Sequence, residues 1–164
     1  MELAPLRELK RELSTYPQAD LIKICLRLAK HKKEVKELLH YLCFEAQDQN
    51  AYIALVKEEV DEVMADMPLH SLYQAKKKVR KGLRILNKYI RFSGEKQTEA
   101  ELRIYFCQQI LDSNLDLLRS TVLFNLFSRQ VSAAKKAIDK LHPDLQFDFE
   151  ENFEGLVSAV DLNL

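Results

Sequence analysis

The chain predicts an all-α protein of antiparallel helix pairs, stacked as an irregular αα array or, alternatively, gathered as an irregular helical bundle. Three observations carry this. Three Gly and four Pro among 164 residues leave little turn punctuation and little room for hairpins of strands. Leu, Lys, Glu and Ala, all good helix formers, dominate the composition. Apolar residues recur along most of the chain at the three-and-four spacing of a helix face.

The first helix is expected over residues 4–13, with Pro5 in its first turn and Leu6, Leu9 and Leu13 along one side. Ser14 to Pro17 breaks it. The second runs from Gln18 to Lys30, placing Leu21, Cys25 and Leu28 on one face with Ile22 and Leu26 beside it. The third runs from Lys33 to Ala46 through Val35, Leu38, Leu39, Leu42 and Cys43. Only His31-Lys32 connects these two helices, so they pack antiparallel.

A fourth helix is predicted from Asn50 to Met67. Ile53, Val56, Val60, Val63, Met64 and Met67 point inward, Glu58, Glu62 and Asp66 point outward, and Pro68 stops it. The fifth helix occupies Leu69 to Gly94, with Gly94 as its C-cap. Gly82 weakens its middle by roughly 1 kcal/mol of helix propensity. Thr98-x-x-Glu101 has the form of a capping box and predicts a sixth helix from Glu99 to Asp112. A turn at Ser113-Asn114 leads to a seventh helix ending at Phe127, and an eighth follows over Gln130–Leu141, stopped by His142-Pro143. A last helix is expected over Glu150–Val160, because Phe147, Phe149, Phe153, Leu156, Val157 and Val160 make this segment too apolar for a disordered tail.

At 164 residues one domain, 1–164, is the expectation. The helices group as 18–46, 50–93, 98–127 and 130–160, roughly the period of αα repeat arrays. The run from Asp20-Leu-Ile-Lys through Lys36-Glu-Leu-Leu to Ala75-Lys-Lys-Lys-Val-Arg-Lys, within residues 18–93, resembles small uncharacterised bacterial all-helical proteins of HEAT-like build. The resemblance implies a helical array with a basic helix near its middle. It carries over no catalytic or binding residue.

The fifth helix is the sharpest feature of the chain. It holds Lys76, Lys77, Lys78, Arg80, Lys81, Arg84, Lys88 and Arg91 and no acidic residue. At about 100° per residue, Lys77, Lys81, Arg84, Lys88 and Arg91 share one narrow face, opposite Leu72, Val79, Leu83, Leu86 and Ile90. These five cations span about 21 Å and form the candidate binding ridge. Lys+Arg and Asp+Glu are 25 each, so net charge names no partner, but the distribution is uneven. Residues 69–94 carry eight cations, whereas residues 45–66 and 139–161 each carry seven acids against one lysine. The ridge therefore binds an external acidic or polyanionic partner, pairs with these acidic segments, or is simply solvated. Zero net charge weighs against a polyanion.

Glu37-Leu-Leu-His40 has the E-x-x-H form of di-iron bundles, but the required second copy is missing. There is no G-x-S-x-G motif and too little glycine for a phosphate-cradling loop. Neither catalysis nor a cofactor nor a metal has a positive signal. Cys25, Cys43 and Cys107 are odd in number, widely spaced and set among apolar residues, which predicts reduced, buried thiols and a cytoplasmic location. An N-terminus with Glu2, Arg7, Glu8 and Lys10 does not have the form of a signal peptide, and no run of 18 apolar residues suggests a membrane span. The functional expectation is a noncatalytic helical scaffold or adaptor. Its partner is a protein, or alternatively a nucleic acid held by the basic helix.

Overall fold

The structure is a computed structural model describing residues 3–159; Glu2, Val160 and Asp161, which figured in the expectations above, lie outside them. The all-α class holds: helices account for 81% of the described residues, and no strand occurs among them. The chain divides into two compact units, Met1–Glu45 and Ala46–Leu164.

The first unit contains α1 (Leu6–Leu13), α2 (Gln18–His31) and α3 (Lys33–His40), the last continued by a π-helical turn at Tyr41–Glu45. Pro5 and Pro17 stand immediately before α1 and α2, where a missing N–H costs nothing. Lys32, in extended conformation, is the whole link between α2 and α3, and the two helices pack as a hairpin. No residue of α1, α2 or α3 is fully buried. The apolar face expected on the second helix is largely open, since Ile22, Leu26 and Leu28 are more than half exposed. Two helices bury only the strip between them, and an apolar face needs another layer to cover it. The cysteine expectation is corrected for the same reason. Cys25 and Cys43 are exposed, and only Cys107 is buried.

The second unit contains α4 (Gln49–Met64), α5 (Leu72–Ser93), α6 (Lys96–Asp112), a 3-10 turn (Leu117–Arg119), α7 (Thr121–Ile138) and α8 (Pro143–Ala159). Helix α6 is its centre and packs against α4, α5, α7 and α8. Its Leu102, Phe106, Cys107 and Ile110 are fully buried, as are Val56 and Val60 of α4 to within about one per cent. Val79 and Leu86 of α5 and Phe127 and Val131 of α7 complete this core. Phe149 and Phe153 of α8 pack against Ala100, Ala137 and Ile138.

Several boundaries differ from the sequence pattern. Helix α4 stops at Met64, short of Met67, and Asp66 turns left-handed at φ 51. Helix α6 begins at Lys96, so Thr98 is not its cap. The Thr98 side chain is buried and donates to Gln49 Oε1 at 3.0 Å. The expected seventh and eighth helices are one helix, α7, running unbroken through Ser128 and Arg129. Its start is capped by Ser120, which accepts the Leu123 N–H. The final helix starts at Pro143, not Glu150, with proline in its first turn.

Candidate functional site

Helix α5 is fixed at both ends by local chemistry. Ser71 Oγ accepts the Gln74 N–H at the start. At the finish Gly94 adopts φ 68, and its N–H donates to Ile90 O at 3.0 Å. Between them Ala75, Val79, Leu86, Ile90 and Phe92 are buried. Gly82 does not interrupt the helix. It lies where α5 closes on its neighbours, and an added Cβ would stand 3.0 Å from Phe106 Cε2 and 3.3 Å from Met64 Sδ.

With that face committed to the core, the opposite face is set. Lys77, Lys81, Arg84 and Arg91 are exposed and Lys88 is half-buried. Among the described residues, Lys77, Lys81 and Arg84 have no side-chain ion pair or hydrogen bond. Lys88 Nζ lies 4.2 Å from the centre of the Tyr89 ring and 6.0 Å from that of Phe92, a cation–π arrangement. Lys78, which sequence spacing places off the ridge, has a structural task. Its ammonium donates to the carbonyls of Ala65 and Asp66, just past the end of α4. A cation there also meets the negative end of the helix dipole.

The acids of α4 are engaged elsewhere or face solvent. Glu59 accepts the Tyr89 hydroxyl, and Asp61 accepts the Tyr105 hydroxyl at 2.6 Å. Burial, and then the Asp61 hydrogen bond, push the Tyr105 phenol up to about 12. Glu58 and Glu62 are exposed. Intramolecular neutralisation by α4 therefore does not reach Lys77, Lys81 or Arg84.

The structure adds to the ridge what spacing along one helix could not reveal. Arg84 and Arg91 border an open cleft of about 550 Å³ with Lys96 and Arg103 of α6, and Glu99 is the one carboxylate in its lining. Arg103 Nε and Nη2 donate to Glu99 Oε1 at 3.0 and 2.9 Å, and Lys96 Nζ reaches Glu99 Oε2 at 2.6 Å. Arg103 Nη1 also donates to Asn87 Oδ1 and Gln130 Oε1. Burial works to raise the Glu99 carboxyl, but the hydrogen bonds from Lys96 and Arg103 outweigh it and hold it below the ordinary carboxylate range.

Glu37 and His40 each stand beside another ionisable side chain. Glu37 lies 3.7 Å from Lys33 Nζ, and His40 Nε2 lies 3.4 Å from Glu45 Oε1. Among the described residues no group of three or more His, Cys, Asp or Glu side chains is placed to hold a metal ion. Burial pushes the Cys107 thiol up to about 12, against a smaller downward pull from Arg103, so it is a hydrophobe and not a nucleophile. None of the described helices is long and apolar enough to cross a membrane.

No protein-family model, curated protein or solved structure matches the chain.

Proposed function

We propose that this protein is a noncatalytic helical adaptor whose α5 ridge docks an acidic segment of another protein. The observation that carries the reading is the state of Lys77, Lys81 and Arg84. They are exposed, without a charge partner among the described residues, and mounted on a helix whose other face is built into the core. A preformed row of cations costs little to order on binding, so carboxylates presented at matching spacing gain most of the Coulomb attraction.

A nucleic acid is the second reading, because a ridge of about 21 Å matches several phosphates. Two features favour protein. Of the three aromatic residues of α5, Phe92 is buried and Tyr89 is bonded to Glu59, so Tyr73, exposed four residues before Lys77, is the single ring that offers single-stranded bases a stacking face beside the cations. The chain as a whole carries as many acids as bases and adds no long-range attraction for a polyanion.

The test compares the wild type with the Lys77→Glu/Lys81→Glu double variant in low salt, using fluorescent polyglutamate, duplex DNA and single-stranded RNA as probes. The expected result is polyglutamate binding that weakens with salt and vanishes in the variant, with thermal unfolding unchanged because exposed charges contribute little to stability. Binding of either nucleic acid that is tighter than that of polyglutamate and lost in the variant transfers the function to the second reading. Absence of all three interactions, or retention of them in the variant, overturns the ridge as a binding surface.

A further inference from the structure

We infer a second docking surface, independent of the ridge: the α2–α3 hairpin receives an acidic amphipathic helix of a partner protein. Between the two helices lies an open groove of about 720 Å³. Its apolar lining is Leu26, Ala29, Leu39, Cys43 and Phe44. Leu26 is 53% exposed and Phe44 75%, a contiguous apolar surface of the kind that marks an interaction site.

The charge around the groove specifies the occupant. Lys30, Lys32, Lys33 and Lys36 border it, and no carboxylate does. Among the described residues Lys30, Lys32 and Lys36 have no side-chain partner, and Lys33 keeps 90% of its side chain exposed while standing 3.7 Å from Glu37. An apolar floor inside a lysine border is complementary to one helix with Leu or Phe at i, i+3 or i+4 and i+7 and with carboxylates on its flanks. Such an occupant removes the apolar surface from water and neutralises the border together.

The chain's own helices fit poorly, which sets aside a second copy as occupant. Helix α1 is amphipathic, but it brings Arg7, Lys10 and Arg11 against Glu8 and Glu12, the wrong sign for this border. Helix α8 has the right sign, yet Leu156 is fully buried and Phe149 and Phe153 are already packed on the second unit. Helix α4 presents Glu58 and Glu62 to solvent, but Leu55 is its one large exposed apolar side chain and Val56, Val60 and Met64 are buried, so it offers no apolar stripe, and a partner of separate origin remains.

The native thiols report occupancy. Cys43 lines the groove, whereas Cys25 is exposed on α2 outside that lining. The full chain is labelled with a small maleimide and each site is followed by mass spectrometry. Added probes are a helical peptide of about 15 residues with a leucine stripe and glutamate elsewhere, the same peptide with lysine for glutamate, and phosphatidylserine vesicles. The acidic peptide is expected to slow Cys43 labelling about tenfold at ten times its Kd and to leave Cys25 unchanged. The lysine peptide is expected to do neither. Lys33→Glu/Lys36→Glu is expected to remove the protection without shifting the unfolding midpoint, and Lys77→Glu/Lys81→Glu to leave it intact, which separates this surface from the ridge. Equal protection by both peptides, none by the acidic one, protection by vesicles alone, or a concentration-dependent doubling of mass that itself shields Cys43 overturns the inference.

Discussion

Gly82→Ala sets two known effects against each other, and the structure decides between them. In an exposed helix this substitution stabilises by about 1 kcal/mol, because alanine has the higher propensity. Here the new methyl meets Phe106 Cε2 at 3.0 Å and Met64 Sδ at 3.3 Å. Phe106 is fully buried and Met64 is 5% exposed, so the ring has no vacant space to retreat into, although the thioether can turn. Overpacking of this kind costs about 1–3 kcal/mol. The net expectation is a loss of about 1 kcal/mol. The internal control is Gly155→Ala in α8, where an added Cβ meets nothing within 4 Å and only the propensity gain operates. Urea unfolding of the full chain gives both values from the shift in midpoint at constant m. Gly82→Ala should fall below wild type and Gly155→Ala above it. Equal stabilisation by both substitutions would refute the close packing of α4, α5 and α6 around Gly82.

Leu86→Ala is expected to cost about 2–5 kcal/mol and Lys81→Ala less than about 0.5, since the first side chain is fully buried and the second lies on the ridge; urea midpoints check the pair. Maleimide should modify Cys25 and Cys43 in the native state and Cys107 only on unfolding, with site-resolved mass spectrometry as the readout. Glu99 has a folded-state pKa below its unfolded one, so its contribution to stability is present above the unfolded value near 4.5 and is lost as pH falls through the folded value. Stability should therefore decline on acidification below about pH 5, and Glu99→Gln should flatten that part of the pH profile in calorimetry.

The sequence pattern shows α5 clearly because two independent signals coincide there. Buried Val79, Leu86 and Ile90 and exposed Lys77, Lys81 and Arg84 follow one period on opposite faces, and Gly94 supplies the only conformation that the cap requires. Thr98 is the opposite case. Its spacing to Glu101 satisfies the local rule for a cap, but its hydroxyl is taken by Gln49, which is distant in the chain, and a local rule cannot anticipate that bond. Ser128 and Arg129 carry no breaking chemistry. The serine hydroxyl donates to Phe124 O at 2.9 Å, a contact that a helix accommodates, so α7 continues. The cysteines mark the deepest limit. Apolar neighbours on one helix tell which face seeks cover, not whether another layer exists to provide it, and Cys25 and Cys43 sit on faces that remain open.

The same distinction bears on function. Periodicity located the ridge, because Lys77, Lys81 and Arg84 belong to one helix and one period. It could not locate Lys96 and Arg103, which join the end of that ridge only through the packing of α6 on α5, nor the lysine-bordered groove, whose two walls are separate helices. Both surfaces present unneutralised lysine, yet they differ in what lies beneath. The ridge has one exposed ring beside it, Tyr73, and its own exposed side chains are cations, so its attraction is chiefly electrostatic and should fall steeply with salt. The groove combines lysine with exposed Leu26 and Phe44, so burial of apolar area should sustain its occupancy at salt concentrations that abolish binding to the ridge. Under the adaptor reading proposed above, such a difference keeps two acidic partners on their own surfaces, because two purely electrostatic surfaces would exchange their ligands.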